Sequence, residues 1–138
     1  MATFKVMLHY ELERIKVNPA QNTCIALINF ENVFELYNKI GKKNEKILLE
    51  DLVKMIRENI APTDFIAFEN SSTLYLGLIN TSVIQAEQQL INLSILVEKV
   101  ISTNFDSFQI KITHKEKTLH TRTKAEIQLQ DLTKELFK

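Results

Sequence analysis

The chain has 138 residues, 45% of them hydrophobic and 25% charged, with only two glycines and two prolines, a balance that excludes disorder, low complexity and a loop-rich disulfide scaffold. Seventeen basic residues offset seventeen acidic ones, so no global field draws the protein to nucleic acid or to an anionic membrane. The length suits a single domain over 1–138.

Phe4, Leu8, Leu12 and Ile15 recur at helical spacing among charged residues and predict an amphipathic first helix, stopped by Asn18-Pro19. The first twenty residues contain no continuous apolar region, and no segment reaches the roughly 18 apolar residues that would span a bilayer. No membrane contact is expected of this chain, and a cytoplasmic location fits best. Cys24, the only cysteine, opens the apolar run 24–30. A run of that length predicts a strand covered on both faces, and an inert core thiol within it.

A short helix over about 32–40 ends at Gly41, and a longer one over about 43–60 turns Leu49, Leu52, Val53, Ile56 and Ile60 inward. After Pro62, Phe65 to Glu69 and Thr73 to Ile79 read as two strands joined by the polar turn Asn70-Ser71-Ser72, a β-hairpin. The longest helix covers about 81–103, capped by Thr81 or Ser82. Its apolar stripe is wide enough for part of it to meet another subunit. Phe108, Ile110 and Ile112 alternate with polar residues and predict a strand at or near a sheet edge. The polar stretch THKEKTLHTRTK reads as a loop, followed by a last helix that faces the core through Ala125, Leu129, Leu132 and Leu136. This order is that of a ferredoxin-like α+β fold, an antiparallel sheet with flanking helices.

Few residues carry chemistry by themselves. His9, His114 and His120 share no ligand spacing and read as solvated, so no metal site is expected. No Ser, His and Asp arrangement or reactive cysteine marks a nucleophilic enzyme. The basic stretch from His114 to Lys124 contains Lys115, Lys117 and Arg122 but lacks interleaved aromatics, and no nucleic-acid binding is expected of it.

The stretch "ALINFENVFELYNKIGKKNEKILLEDLVKMIRENIAPTDFIAFENSSTLYLGLINTS" resembles the GGDEF domain of diguanylate cyclases in a degenerate form. In that family a first strand ending D-x-D-x-F-K-x-I-N-D leads through a G-H-x-x-G-D loop to an R-Y-G-G-[DE]-E-F hairpin. Phe34, Tyr37, Asn38, Gly41, Leu49 and Asp64 fall on matching positions. Asn70, Ser71, Ser72, Thr73 and Leu74 stand where the family has G-G-[DE]-E-F, so both glycines and both carboxylates are replaced.

The resemblance implies what those losses mean. Joining two GTP molecules needs divalent cations to neutralise charge on the phosphoryl oxygens, and hard cations need carboxylates. The family's come from the end of the first strand and from the hairpin. One residue is missing between Asn38 and Gly41 relative to the family, so either Phe30 stands at the metal-binding Asp, or Asn29 and Glu31 take the two Asp positions. Lys46 stands where the family reads guanine with Asp, and the product-inhibition motif R-x-x-D is Ala61-Pro62-Thr63-Asp64, without its arginine. The resemblance thus implies a catalytically inactive domain with no catalytic residue, metal or cofactor, a regulatory or protein-interaction module in bacterial signalling that meets a protein partner or forms a homodimer. A second reading is a non-catalytic sensor that binds a purine nucleotide, GTP or a cyclic dinucleotide, through Asn38 and Glu31.

Overall fold

The computed structural model describes residues 2–18, 22–121 and 124–137. These form α1 (Ala2–Val17), β1 (Thr23–Phe30), α2 (Val33–Glu58), β2 (Phe65–Asn70), β3 (Thr73–Ile79), α3 (Val83–Asn104), β4 (Ile112–Thr118) and α4 (Ala125–Leu136). The strands make one sheet in the order β2-β3-β1-β4 with every neighbouring pair antiparallel. The crossover from β1 through α2 to β2 leaves room for β3, and that from β3 through α3 to β4 leaves room for β1, which is the ferredoxin-like arrangement expected.

β1 is buried along its whole length because both of its faces are covered. Ala26, Ile28 and Phe30 point into a layer shared with α2 and α3, while Ile25 and Leu27 point into a second layer with α1 and α4. The predicted core faces of the terminal helices hold: Phe4, Leu8, Leu12 and Ile15 are buried on α1, as are Ala125, Leu129 and Leu132 on α4, with Leu136 packed at its margin. On α1 the same face buries a carboxylate. Glu11 takes hydrogen bonds from Arg14 at 2.8 Å and from the Thr23 hydroxyl at 2.7 Å.

The two predicted helices over 32–60 run together as α2 but break at Gly41, whose φ of 81° and ψ of 165° suit glycine alone. The inward stripe of the longer part is Leu48, Leu52 and Ile56, so Leu49 and Val53 sit at its edge, half-buried. Ser82 caps α3 by accepting from the Gln85 amide at 3.2 Å, and the Gln85 side chain accepts from the Ser82 amide at 3.0 Å.

The last strand corrects the reading of the sequence. It lies at the sheet edge as expected, but over Ile112–Thr118, so that it begins where the expected strand ends and runs on into the expected loop. After α3, Asp106 and Ser107 adopt φ of 47° and 58°, and this left-handed pair turns the chain so that Phe108 and Ile110 anchor it to the core before pairing begins. The histidines differ too. His9 is exposed, but His114 bonds Glu116 at 3.0 Å beneath α3, and His120 keeps a buried Nδ1 with no partner among the described residues. Pro19 of the expected helix stop and Arg122 of the basic stretch lie outside the described residues. Among the described residues no helix is long and apolar enough to cross a membrane.

Candidate functional site

The hairpin turn sits against the end of β1 because β3 pairs with β1 through Asn29 opposite Thr73. The Phe30 amide donates to the Ser72 carbonyl at 2.8 Å, which fixes the turn on the strand end. Within the turn, Asn70 Oδ1 accepts from the Ser72 amide at 2.9 Å and the Ser72 hydroxyl at 2.8 Å, a local closure that Asn and Ser favour. The Tyr37 hydroxyl, from the first turns of α2, donates to the Ser71 carbonyl at 2.8 Å. Burial, aided by the charge of Glu45, pushes the Tyr37 phenol far up, so it remains a protonated donor.

Strand alternation decides which side chain ends β1 beside the turn. Phe30 is 1% exposed and packs into the α2/α3 layer. Asn29 points to the opposite face and accepts from the Thr73 hydroxyl at 3.5 Å. Glu31 lies past the strand end and pairs with Lys111 at 3.1 Å. The neighbouring Asn32 side chain accepts from the Lys111 amide at 2.7 Å and donates to the Gln109 carbonyl at 2.8 Å. Asn38 is an exposed position on α2.

A cleft of about 730 Å³ opens on the α1/α4 side of the turn. Asn29, Asn70, Ser72 and Thr73 line it, while Leu74 is buried in the α2/α3 layer and neither Asn38 nor Glu31 reaches the cleft. Its charged walls are residues that no motif in the sequence marks: Lys5 from α1, Glu69 from β2, Glu126 and Lys134 from α4. Only Glu69 was within reach of a sequence pattern, since it precedes the turn and shares the parity of Phe65 and Ala67. Tyr75 also borders the cleft; burial pushes its phenol up, and its hydroxyl lies 2.6 Å from that of Thr133. The cleft thus offers two ammonium groups, two carboxylates and several neutral amides and hydroxyls. Among the described residues no three His, Cys, Asp or Glu side chains gather where they could hold a metal ion.

Asp64, which matches the last residue of the family's inhibition motif, is built into the fold. It is buried, and its carboxylate accepts from the Ala61 amide at 3.0 Å and the Ile79 amide at 2.9 Å. Arg57 donates to its carbonyl at 2.6 Å.

No protein-family model and no curated protein matches the sequence. Solved structures do match. The GGDEF domain of DgcB from Caulobacter crescentus, solved with c-di-GMP, is similar at a TM-score of 0.75 and 14% identity, over 94% of this chain and 80% of that one. The FimX GGDEF domain from Pseudomonas aeruginosa matches at 0.73 and 16% identity, over 98% of this chain and 83% of its own. Diguanylate cyclase SiaD from Pseudomonas aeruginosa, solved with its activator SiaC, matches at 0.80 and 12% identity, over 99% of this chain and 52% of SiaD. The chain therefore has a GGDEF-like fold, an antiparallel sheet of four strands flanked by four helices among the described residues.

Proposed function

We propose that this protein is a GGDEF-like domain without cyclase turnover, acting as a regulatory or protein-interaction module in bacterial cytoplasmic signalling. The observation that carries this reading is the turn itself. Asn70, Ser71 and Ser72 bring no charge to the strand end, Asn70 spends its oxygen on Ser72, and the side chain beside them on β1 is the neutral Asn29. Two-metal phosphoryl chemistry needs carboxylates placed together at that point. Glu31, the acidic residue nearest the end of β1, is paired with Lys111 instead. That SiaD was solved with an activator protein supports a protein partner for this fold.

Incubation with GTP and magnesium, followed by chromatography of the products, tests the reading. No cyclic dinucleotide is expected, and its formation would overturn the proposal. Affinity purification of the tagged chain from its source cell is expected to yield a stoichiometric protein partner or a second copy.

The cleft favours a second reading, retention of a purine nucleotide without turnover. Its volume falls within the range of small-molecule sites, and Lys5 and Lys134 supply cations for a phosphate. The structure of DgcB with c-di-GMP supports this reading by analogy. It moves the contact from Asn38 and Glu31 to the α1/α4 side of the turn. A rise in melting temperature with GTP or c-di-GMP, lost in Lys134→Glu, is the expected result under this reading.

A further inference from the structure

The two edges of the sheet are built differently. The edge strand β4, Ile112–Thr118, carries His114, Lys115, Glu116 and Lys117, the charged composition that discourages pairing with another chain. The edge strand β2 reads Phe-Ile-Ala-Phe from Phe65 to Phe68, with no charge before Glu69, and among the described residues its one strand partner is β3. Ile66, Ala67 and Phe68 are only half-buried.

We propose that the β2 edge pairs antiparallel with the β2 edge of a second copy of this chain, joining two sheets of four strands into one of eight. The inference holds whether or not the hairpin turn is catalytically silent. A two-fold axis through Ala67 sets Ala67 against its own copy on the α1/α4 face and, on the α2/α3 face, Ile66 against Phe68 twice, so apolar pairs form on both sides of the seam. The same axis brings Glu69 opposite Phe65, one residue from Asp64. Arg57 stands there, bonded to the Asp64 carbonyl through one of its five N–H groups. Each copy thus presents a guanidinium at one end of the edge and a carboxylate at the other, and the antiparallel pairing matches them twice. The ladder irregularity between Phe68 and Asn70 releases Glu69 from regular pairing, which lets its carboxylate swing toward that end.

The helix above the edge extends the surface. His9, Glu13 and Lys16 form the flank of α1 that shares a cleft with α4, so Met7 and Tyr10, 38% and 69% exposed, lie on the flank away from α4, over the β2 side. Small interfaces of this kind, below roughly 1,200 Å², belong to weak association. The dimer is therefore a concentration-dependent one.

The test is a cross-link. Ala67→Cys places two thiols opposite each other at the axis, within disulfide reach across an antiparallel pair. Cys24 is buried and its thiol is pushed up to about 12 by that burial, so it stays silent during mild oxidation. Ala67→Cys is expected to form a disulfide dimer, and Lys115→Cys on β4 to remain monomeric. Sedimentation is expected to show association weakened roughly tenfold or more in Glu69→Arg and in Arg57→Glu, and restored when both changes are combined. Melting temperature and circular dichroism of each variant separate loss of pairing from loss of fold. A chain that stays monomeric at high concentration would overturn the proposal. So would Ala67→Cys cross-linking no faster than Lys115→Cys, or charge reversals in folded variants that leave association unchanged.

Discussion

The Asp64 carboxylate accepts from the Ile79 amide at 2.9 Å, tying the residue before β2 to the far end of β3. A second oxygen holds the Ala61 amide, so one buried side chain closes both the α2–β2 turn and the open end of the hairpin. Asp64→Ala leaves two amides without an acceptor and is expected to cost about 3 kcal/mol. Asp64→Asn, with one acceptor oxygen, should recover part of this. Urea unfolding measures both, and a loss below about 0.5 kcal/mol for the alanine variant would contradict the assigned role.

Tyr37→Phe removes the hydroxyl that grips the Ser71 carbonyl and keeps the ring, which meets Phe34 edge-on at 5.8 Å. The expected loss is about 1 kcal/mol of stability. Faster hydrogen exchange at the Ser72 amide, with exchange in α3 unchanged apart from the global loss, would locate the effect at the turn.

Gly77 faces Phe65 across the β2–β3 pair, and a methyl group there would collide with the Phe65 ring. That ring cannot retreat freely, because it packs against Phe4 with centroids 5.0 Å apart. Gly77→Ala is expected to destabilise the protein by about 2 kcal/mol, and Phe65→Leu in the same background to recover part of it. Thermal unfolding of the single and double variants checks the coupling.

The His114 imidazole is held above its usual range, first by the hydrogen bond to Glu116, against the opposing effect of burial, with the charges of Glu116 and Glu87 adding to it. Its folded pKa is raised, so the stability it contributes is fully present below the unfolded value of about 6.5 and is lost as pH rises through the folded value. His114→Gln should therefore destabilise more at about pH 5.5 than at about pH 8.5. The opposite dependence would mean that the imidazole is held neutral.

The hairpin and the central strand were legible because their apolar residues sit at strand spacing and their turn chemistry is local. Ser82 and Gln85 lie three residues apart, as a helix start requires. β4 was not legible, since its inner face is filled by the His114 and Glu116 pair where an apolar alternation would be read. Phe108 and Ile110 alternate convincingly, but the left-handed backbone at Asp106 and Ser107 turns them into anchors. The cleft escaped for another reason: Lys5, Glu126 and Lys134 come from opposite ends of the chain, and no local pattern joins them. Strand parity, once the register was known, chose Asn29 over Phe30 at the turn.

β1 contributes alternate side chains to two apolar layers at once, Ala26 and Ile28 to one, Ile25 and Leu27 to the other. Neither layer can loosen while the other stays intact, because both rest on the same backbone. Denaturation should accordingly appear as one cooperative transition, with the signals of α1 and α3 vanishing together and no half-folded sandwich accumulating on the way.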